Sequence, residues 1–91
     1  MMSTLVQAPP TTQSILVIDD DDWILQLLNR ELSYEGYSPI LAAEGSRGID
    51  MAHKHEPDLI LLDLMLPDMS GIEVVRRLRG EGLEAPVLVI S

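Results

Sequence analysis

Carboxylate side chains at two places in the sequence could carry chemistry. Asp19 and Asp20 begin a run of four aspartates that follows the aliphatic stretch SILVI, and Asp63 follows the stretch DLILL. Two unit charges about 5 Å apart repel by roughly 3 kcal/mol at an effective dielectric constant near 20, so clustered carboxylates are either spread into water or held by a cation. Mg²⁺ prefers oxygen ligands of this kind. The three aspartates are therefore a candidate metal site if the fold brings them together.

The sequence around these aspartates alternates between short aliphatic runs, typical of buried strands, and segments with apolar residues at helical spacing. The predicted strands are, in chain order, SILVI, YSPIL, DLILLDL and APVLVIS, and the predicted helices cover about residues 22–35, 46–56 and 72–79. This alternation predicts an α/β fold, an open parallel sheet with helices on both faces. Sites in such sheets form at the carboxyl ends of the strands. Asp19, Asp20, Asp63 and Ser91 all lie at that edge, so we expect them to converge.

Local signals predict where these elements end and which residues they bury. Gly36 is a typical residue just after a helix, and Pro39 is typical of an edge strand or an irregular strand start. Ser46 is predicted to cap the second helix, because its hydroxyl can accept a hydrogen bond from a free backbone N–H. The apolar residues expected to face the core are Ile49, Met51 and Ala52 in the second helix, and Ile72, Val75 and Leu78 in the third.

The composition of the chain limits the classes of function. Its 91 residues suit one domain, and 15 acidic against 6 basic residues give a net charge of −9. This charge argues against direct contact with nucleic acid, whose phosphates bind basic surfaces. The absence of cysteine excludes disulfides and thiolate chemistry. The sequence has no signal-peptide pattern and no apolar run of about 18 residues, so we expect a soluble, cytoplasmic protein without a membrane segment.

Three segments of the chain resemble the receiver domain of two-component response regulators. They are ILVIDDD, DLILLDLMLPDMSGIEVVRRLR and PVLVIS, and their order and spacing are similar to the family over residues 14–91. The resemblance implies a flavodoxin-like sheet with strand order 2-1-3-4. It also implies a phosphoacceptor that takes a phosphoryl group from a histidine kinase or phosphotransfer protein and relays the signal by a conformational change. Residues 1–13, with two prolines and little apolar periodicity, are expected to form a flexible leader.

The resemblance also implies a role for each matching residue. Such a domain is not an enzyme beyond its own phosphorylation and dephosphorylation, and its cofactor is Mg²⁺ or Mn²⁺. The implied roles are phosphoacceptor for Asp63, metal ligands for Asp19, Asp20 and Asp63, a metal-bound backbone carbonyl for Met65, loop residues for Pro67 and Gly71, and a switch hydroxyl for Ser91.

The chain departs from the resembling family at its last residue. The family normally continues past the position of Ser91 with a fifth strand that ends in a lysine, so residues 14–91 are expected to be a receiver domain without its C-terminal third. The only lysine, Lys54, falls in the second predicted helix, at the opposite end of the sheet from Asp63. With the fifth strand missing from this chain, strand 4 is an open sheet edge, and we expect self-association through residues 86–90.

Other functions remain open from the residues alone. A receiver-like module that binds or assembles with other proteins without switching has the same pattern. A haloacid-dehalogenase-type phosphatase also uses an aspartate at a strand end, but it needs a second aspartate two residues later, where this chain has Met65. Flavodoxin-like cofactor binding is disfavoured, because no phosphate-binding loop rich in Ser, Thr and Gly follows the first strand.

Overall fold

The protein is described here by a computed structural model of residues 12–90, in which strands and helices alternate along the chain. Residues 1–11 and Ser91 lie outside the described residues, so most of the expected leader and the expected switch hydroxyl are not described. The elements are β1 (Ser14–Ile18), α1 (Asp22–Tyr34), β2 (Ser38–Ala42), α2 (Gly45–His55), β3 (Leu59–Leu62), α3 (Gly71–Gly80) and β4 (Val87–Val89). The predicted alternation is confirmed.

Within residues 12–90 the strands form one parallel sheet in the order β2-β1-β3-β4, which confirms the predicted order. Ile18 at the end of β1 pairs with Ala42 on one side and with Leu62 on the other. Backbone hydrogen bonds continue past the strand ends, from Asp19 N to Ala42 O at 3.0 Å and from Asp63 N to Ile18 O at 2.9 Å. The residues that follow β1 and β3 are thereby held side by side.

Helices cover both faces of the sheet. Successive residues of a strand point to opposite faces, so each strand contributes apolar side chains to two clusters. Leu16 and Ile18 of β1 are buried in a cluster with Ile49 of α2 and Leu78 of α3. Ile15 and Val17 belong to a second cluster, with Leu25 of α1 and Leu61 of β3. The short continuous aliphatic runs of β1 and β3 are thus buried on both sides, as parallel strands require.

Two predictions about the helices were wrong. Ser46 does not cap α2; the helix begins at Gly45 and its N-cap position is Glu44, whose side chain makes no capping hydrogen bond within the described residues. Ile72 does not face the core; its side chain is 63% exposed, and Val74 is fully buried in its place. The reason is that α3 begins at Gly71, which faces inward. Residues three and four positions apart lie on the same face of a helix, so Val74 and Leu78 share the inner face with Gly71 and Ile72 does not.

The remaining predictions about core residues of α2 and α3 and about β2 are confirmed. Ile49, Met51 and Ala52 are buried in α2, Leu78 is buried in α3, and Val75 is partly buried against the same cluster. Pro39 lies in β2, which is an edge strand. The prediction that APVLVIS forms a buried strand was wrong, since Leu88 and Val89 of β4 are about half exposed and no further strand pairs with β4 within residues 12–90. Among residues 12–90, no helix has the length and apolar character needed to cross a membrane.

Candidate metal centre

Three carboxylates meet at the carboxyl edge of the sheet. Asp19 and Asp20 follow β1, and Asp63 follows β3, the neighbouring strand. One carboxylate oxygen of each residue can be chosen so that all three lie within 4.8 Å of one another. The parallel register of β1 and β3 is responsible, because it brings the ends of both strands to the same level. The structure therefore brings together three of the residues that the sequence singled out.

Asp19 is the buried member of this cluster, with 4% of its surface exposed. Burial raises the pKa of its carboxyl group above the ordinary 3.8, and the nearby charges of Asp63 and Asp20 raise it further, against the lowering effect of a hydrogen bond from Asp21 N. That bond measures 2.8 Å to Asp19 Oδ1. Ionised Asp19 is thus energetically costly here unless positive charge is supplied.

Asp63 and Asp20 are more accessible than Asp19. Asp20 is exposed, and Asp63 is half-buried, with its Oδ1 accepting a hydrogen bond of 3.0 Å from the backbone N–H of Met65. This bond sets the orientation of the Asp63 carboxylate and holds the backbone of Met65 next to it. A cluster of one buried and two accessible carboxylates is a donor set that fits a hard divalent cation such as Mg²⁺, which binds oxygen and keeps several waters.

The loop from β3 to α3 closes tightly behind Asp63. Gly71 N donates a hydrogen bond of 2.7 Å to Leu64 O, and Met65 and Ser70 form an isolated antiparallel bridge. A Cβ atom at Gly71 would lie 2.8 Å from Asp63 O and 2.8 Å from Leu64 Cα, closer than real contacts allow. Glycine is therefore required here by the close approach of the backbone, while Pro67 lies exposed in the middle of the loop.

One residue near the site was missed by the sequence reading. Asp68, in the same loop, accepts hydrogen bonds from the backbone N–H groups of Ser46 and Gly45 at the start of α2, and these bonds lower its pKa. An aspartate that caps a helix from the adjacent sequence would have been recognisable. Asp68 is more than twenty residues away from the start of α2, so only the folded structure reveals the contact.

A groove of about 430 Å³ adjoins the carboxylates on the face of the sheet that carries α1. Its apolar lining is Ile24, Leu27, Leu28, Leu61 and Ile90. Ile90 directly precedes Ser91 and continues the sheet, since its N–H bonds to Leu62 O at 3.0 Å.

Two large side chains next to the acidic cluster in sequence are exposed. Trp23, at the start of α1, is 67% exposed, and the side chain of Met65 also lies largely in solvent.

The family model for the response regulator receiver domain matches residues 15–91. Among curated proteins, the chain is 46% identical over 77 residues to the response regulator MprA of Mycobacterium tuberculosis (strain ATCC 25618 / H37Rv), and 44% identical to MprA of Mycobacterium avium. These alignments cover 85% of the chain and 34% of each relative, so the chain spans about a third of their length.

Solved receiver structures share this fold. The chemotaxis response regulator CheY4 of Vibrio cholerae has a TM-score of 0.83 at 31% identity, and the alignment covers 87% of this chain and 68% of that one. The response regulator TrrA of Thermotoga maritima, solved in complex with Mg²⁺ and BeF, has a TM-score of 0.79 at 33% identity, with 86% of this chain and 68% of that one covered.

Proposed function

The chain belongs to the receiver domain family of response regulators, the signalling domains of two-component systems, and on that premise we propose that Asp63 accepts a phosphoryl group from a histidine kinase or phosphotransfer protein. The observation that carries this proposal is the meeting of Asp19, Asp20 and Asp63 within 4.8 Å at one edge of the sheet. In this proposal residues 14–91 are the receiver part of the chain, and residues 1–13 precede it.

Acidic residues bind Mg²⁺ in this family, and the carboxylate cluster is where we propose that it binds here. Asp19, Asp20, Asp63 and the backbone carbonyl of Met65 would hold the ion. When bound, the ion would neutralise the oxygens of the incoming phosphoryl group and favour in-line attack. The raised pKa of Asp19 supports this assignment, because a cation would offset both the cost of burying the charged carboxylate and its repulsion by neighbouring carboxylates.

Each of the chain's own residues has a separate task in the proposed transfer. An oxygen of the Asp63 carboxylate forms the new bond to phosphorus, while the bond between phosphorus and the donor histidine nitrogen breaks and the nitrogen keeps its electron pair. The hydrogen bond from Met65 N to Asp63 Oδ1 orients the carboxylate. Pro67 and Gly71 shape the loop, and Ser91 would supply the hydroxyl that follows the phosphoryl group and transmits the change.

Mass spectrometry after incubation with acetyl phosphate and Mg²⁺ tests the proposed function directly. We expect the unaltered chain to gain the mass of one phosphoryl group, and Asp63→Asn to gain none. Asp50→Asn is the matched control, since Asp50 is an exposed aspartate in α2 and should leave the reaction unchanged. No added mass on the folded, unaltered chain, or equal addition to Asp63→Asn, would contradict the proposal.

A further inference from the structure

The loop between β3 and α3 is fastened to the start of α2 by a side chain that the proposed transfer does not use. The two carboxylate oxygens of Asp68 accept hydrogen bonds from successive backbone N–H groups, Gly45 at 2.7 Å and Ser46 at 2.9 Å. The first N–H groups of a helix have no partner inside the helix. Asp68 thus supplies across the fold the acceptor that the Glu44 side chain does not supply.

An apolar contact reinforces this hydrogen-bonded contact at the same turn of α2. Met69, the next residue of the loop, is partly buried against the core. A Cβ atom at Gly45 would lie 2.6 Å from Met69 Cγ, so the Met69 side chain lies directly against the backbone of the helix. The middle of the loop is therefore held by a charged group and by a packed side chain at one place.

The loop is held a second time at its base, where it leaves and rejoins the sheet. Gly71 N bonds to Leu64 O, and Met65 bridges Ser70. Met65 thus lies in a short loop that is anchored at the base and, through Asp68, at α2. Without the Asp68 contact, residues 66–69, between Met65 and Ser70, would be held against α2 by Met69 alone.

We propose that Asp68 is a positioning residue, which holds the β3–α3 loop against α2 and so keeps the backbone of Met65 beside the Asp63 carboxylate. The two hydrogen bonds favour the ionised form of Asp68, and the start of a helix favours negative charge. The metal-binding part of the inference rests on the proposed function. The effect on the Met65 backbone does not.

Asp68→Ala tests the inference, with Asp58→Ala as the matched control. Asp58 also accepts a backbone hydrogen bond across the fold, from Ser14 N at 2.8 Å, but at the opposite end of the sheet. Both variants remove one negative charge and a side-chain acceptor of backbone N–H groups, with two hydrogen bonds lost at Asp68 and one at Asp58. The readouts are amide hydrogen exchange at Met65 in metal-free protein, and the dissociation constant for Mg²⁺ from Trp23 fluorescence.

We expect Asp68→Ala to speed exchange at Met65, whose N–H bonds to Asp63 and not to Asp68, and to weaken Mg²⁺ binding by roughly threefold to tenfold. This loss of affinity is at or below the roughly 10–100-fold loss that is typical when a residue in direct contact with a metal ligand is changed. Asp68→Asn keeps one acceptor oxygen and should give an intermediate result in both measurements. Asp58→Ala should change neither. If circular dichroism shows that Asp68→Ala is unfolded, Asp68→Asn carries the comparison.

The possible failures are distinguishable. Unchanged exchange at Met65 and unchanged Mg²⁺ affinity in a folded Asp68 variant would overturn the positioning role and leave the proposed function intact. Faster exchange at Met65 in the variant, with no Mg²⁺ response from the unaltered chain, would support the positioning role and overturn the proposed metal site.

Discussion

At the scale of single residues, the candidate site joins a buried carboxylate to two accessible ones. Asp19 is held by the strand ladder and by the hydrogen bond from Asp21 N, so it cannot turn away from Asp63 to relieve repulsion. Asp20 and Asp63 can reach water. The like charges therefore stay close together when no cation is bound, and this repulsion opposes folding.

Mg²⁺ should raise the melting temperature of the chain and change the fluorescence of Trp23. A ligand at about 100 times its dissociation constant stabilises a folded protein by roughly 2.7 kcal/mol. Trp23 is the only tryptophan and lies three residues after Asp20, at the start of α1. Thermal denaturation followed by circular dichroism, with a parallel fluorescence titration, measures both effects.

Asp20→Asn should remove most of this response and should raise the melting temperature slightly in the absence of Mg²⁺, because it removes one of the repelling charges. Asp50→Asn is again the control for loss of one exposed charge. A melting curve of the folded chain that is the same with and without Mg²⁺ would count against an assembled site.

At the scale of elements, the β3–α3 loop connects the site to two helices. Gly71 begins α3 and lies against the backbone of Asp63 and Leu64, while Asp68 caps α2. The loop therefore depends on a glycine for close packing and on an aspartate for its attachment. Substitutions at Gly71 or Asp68 should therefore alter the backbone around Asp63, although neither residue is proposed to contact the Asp63 side chain.

Gly71→Ala should destabilise the fold by about 1–3 kcal/mol, since the added methyl group meets backbone atoms that cannot move aside easily. Gly80→Ala is the matched control, because a Cβ atom there meets nothing within 4 Å and alanine is favoured over glycine in helices. Urea denaturation at equilibrium measures both. Equal stability of the two variants would contradict this prediction, because it would mean that the loop accommodates a methyl group at residue 71 without cost.

Acid should weaken the contribution of Asp68 to stability. Hydrogen bonds from Ser46 and Gly45 lower its pKa below 3.8, so the folded chain binds fewer protons at this group than the unfolded chain does. Its stabilising effect is therefore fully present above the unfolded value and is lost as the pH falls through the folded value. We expect the unaltered chain to melt above Asp68→Asn at neutral pH, and the gap to close below pH 3.8. A gap that widens in acid would contradict this sign.

Particular residues show what the sequence could predict and why the rest required the structure. The meeting of Asp19 with Asp63 at one edge follows from the parallel arrangement, which hydrophobic patterns reveal. The strand order is implied by the resemblance to the receiver family. The exposure of Ile72 depends on where α3 begins, and helix ends are the least certain part of a sequence reading. The contact between Asp68 and α2 is tertiary, so no local pattern carries it.

At the scale of the whole molecule, the sheet has an open edge at β4 within the described residues. Leu88 is 56% exposed and Val89 is 48% exposed. An uncharged aliphatic edge strand presents backbone donors and acceptors to any other strand. Strand pairing between two copies would cover it.

The 91-residue chain, studied by itself, should self-associate through residues 86–90. Leu88→Lys should reduce the association, because charged side chains on an edge strand oppose pairing. Tyr34→Lys is the control, since Tyr34 is 86% exposed at the end of α1, away from this edge. Size-exclusion chromatography with light scattering gives the mass of each species. A monodisperse monomer with a sharp melting transition would rule out association through β4.

The pairing of β1 with β3 also sets the order in which the molecule can assemble. Ile15 pairs with Leu59, across a stretch of chain that includes α1, β2 and α2, so this loop must close before the sheet is complete. Contacts between distant segments form slowly, because the entropy of the loop is lost first. The carboxylates of Asp19 and Asp63 are neighbours only after that step. A cation at this site should therefore act late on the folding pathway, and lengthen the lifetime of the folded chain more than it speeds folding.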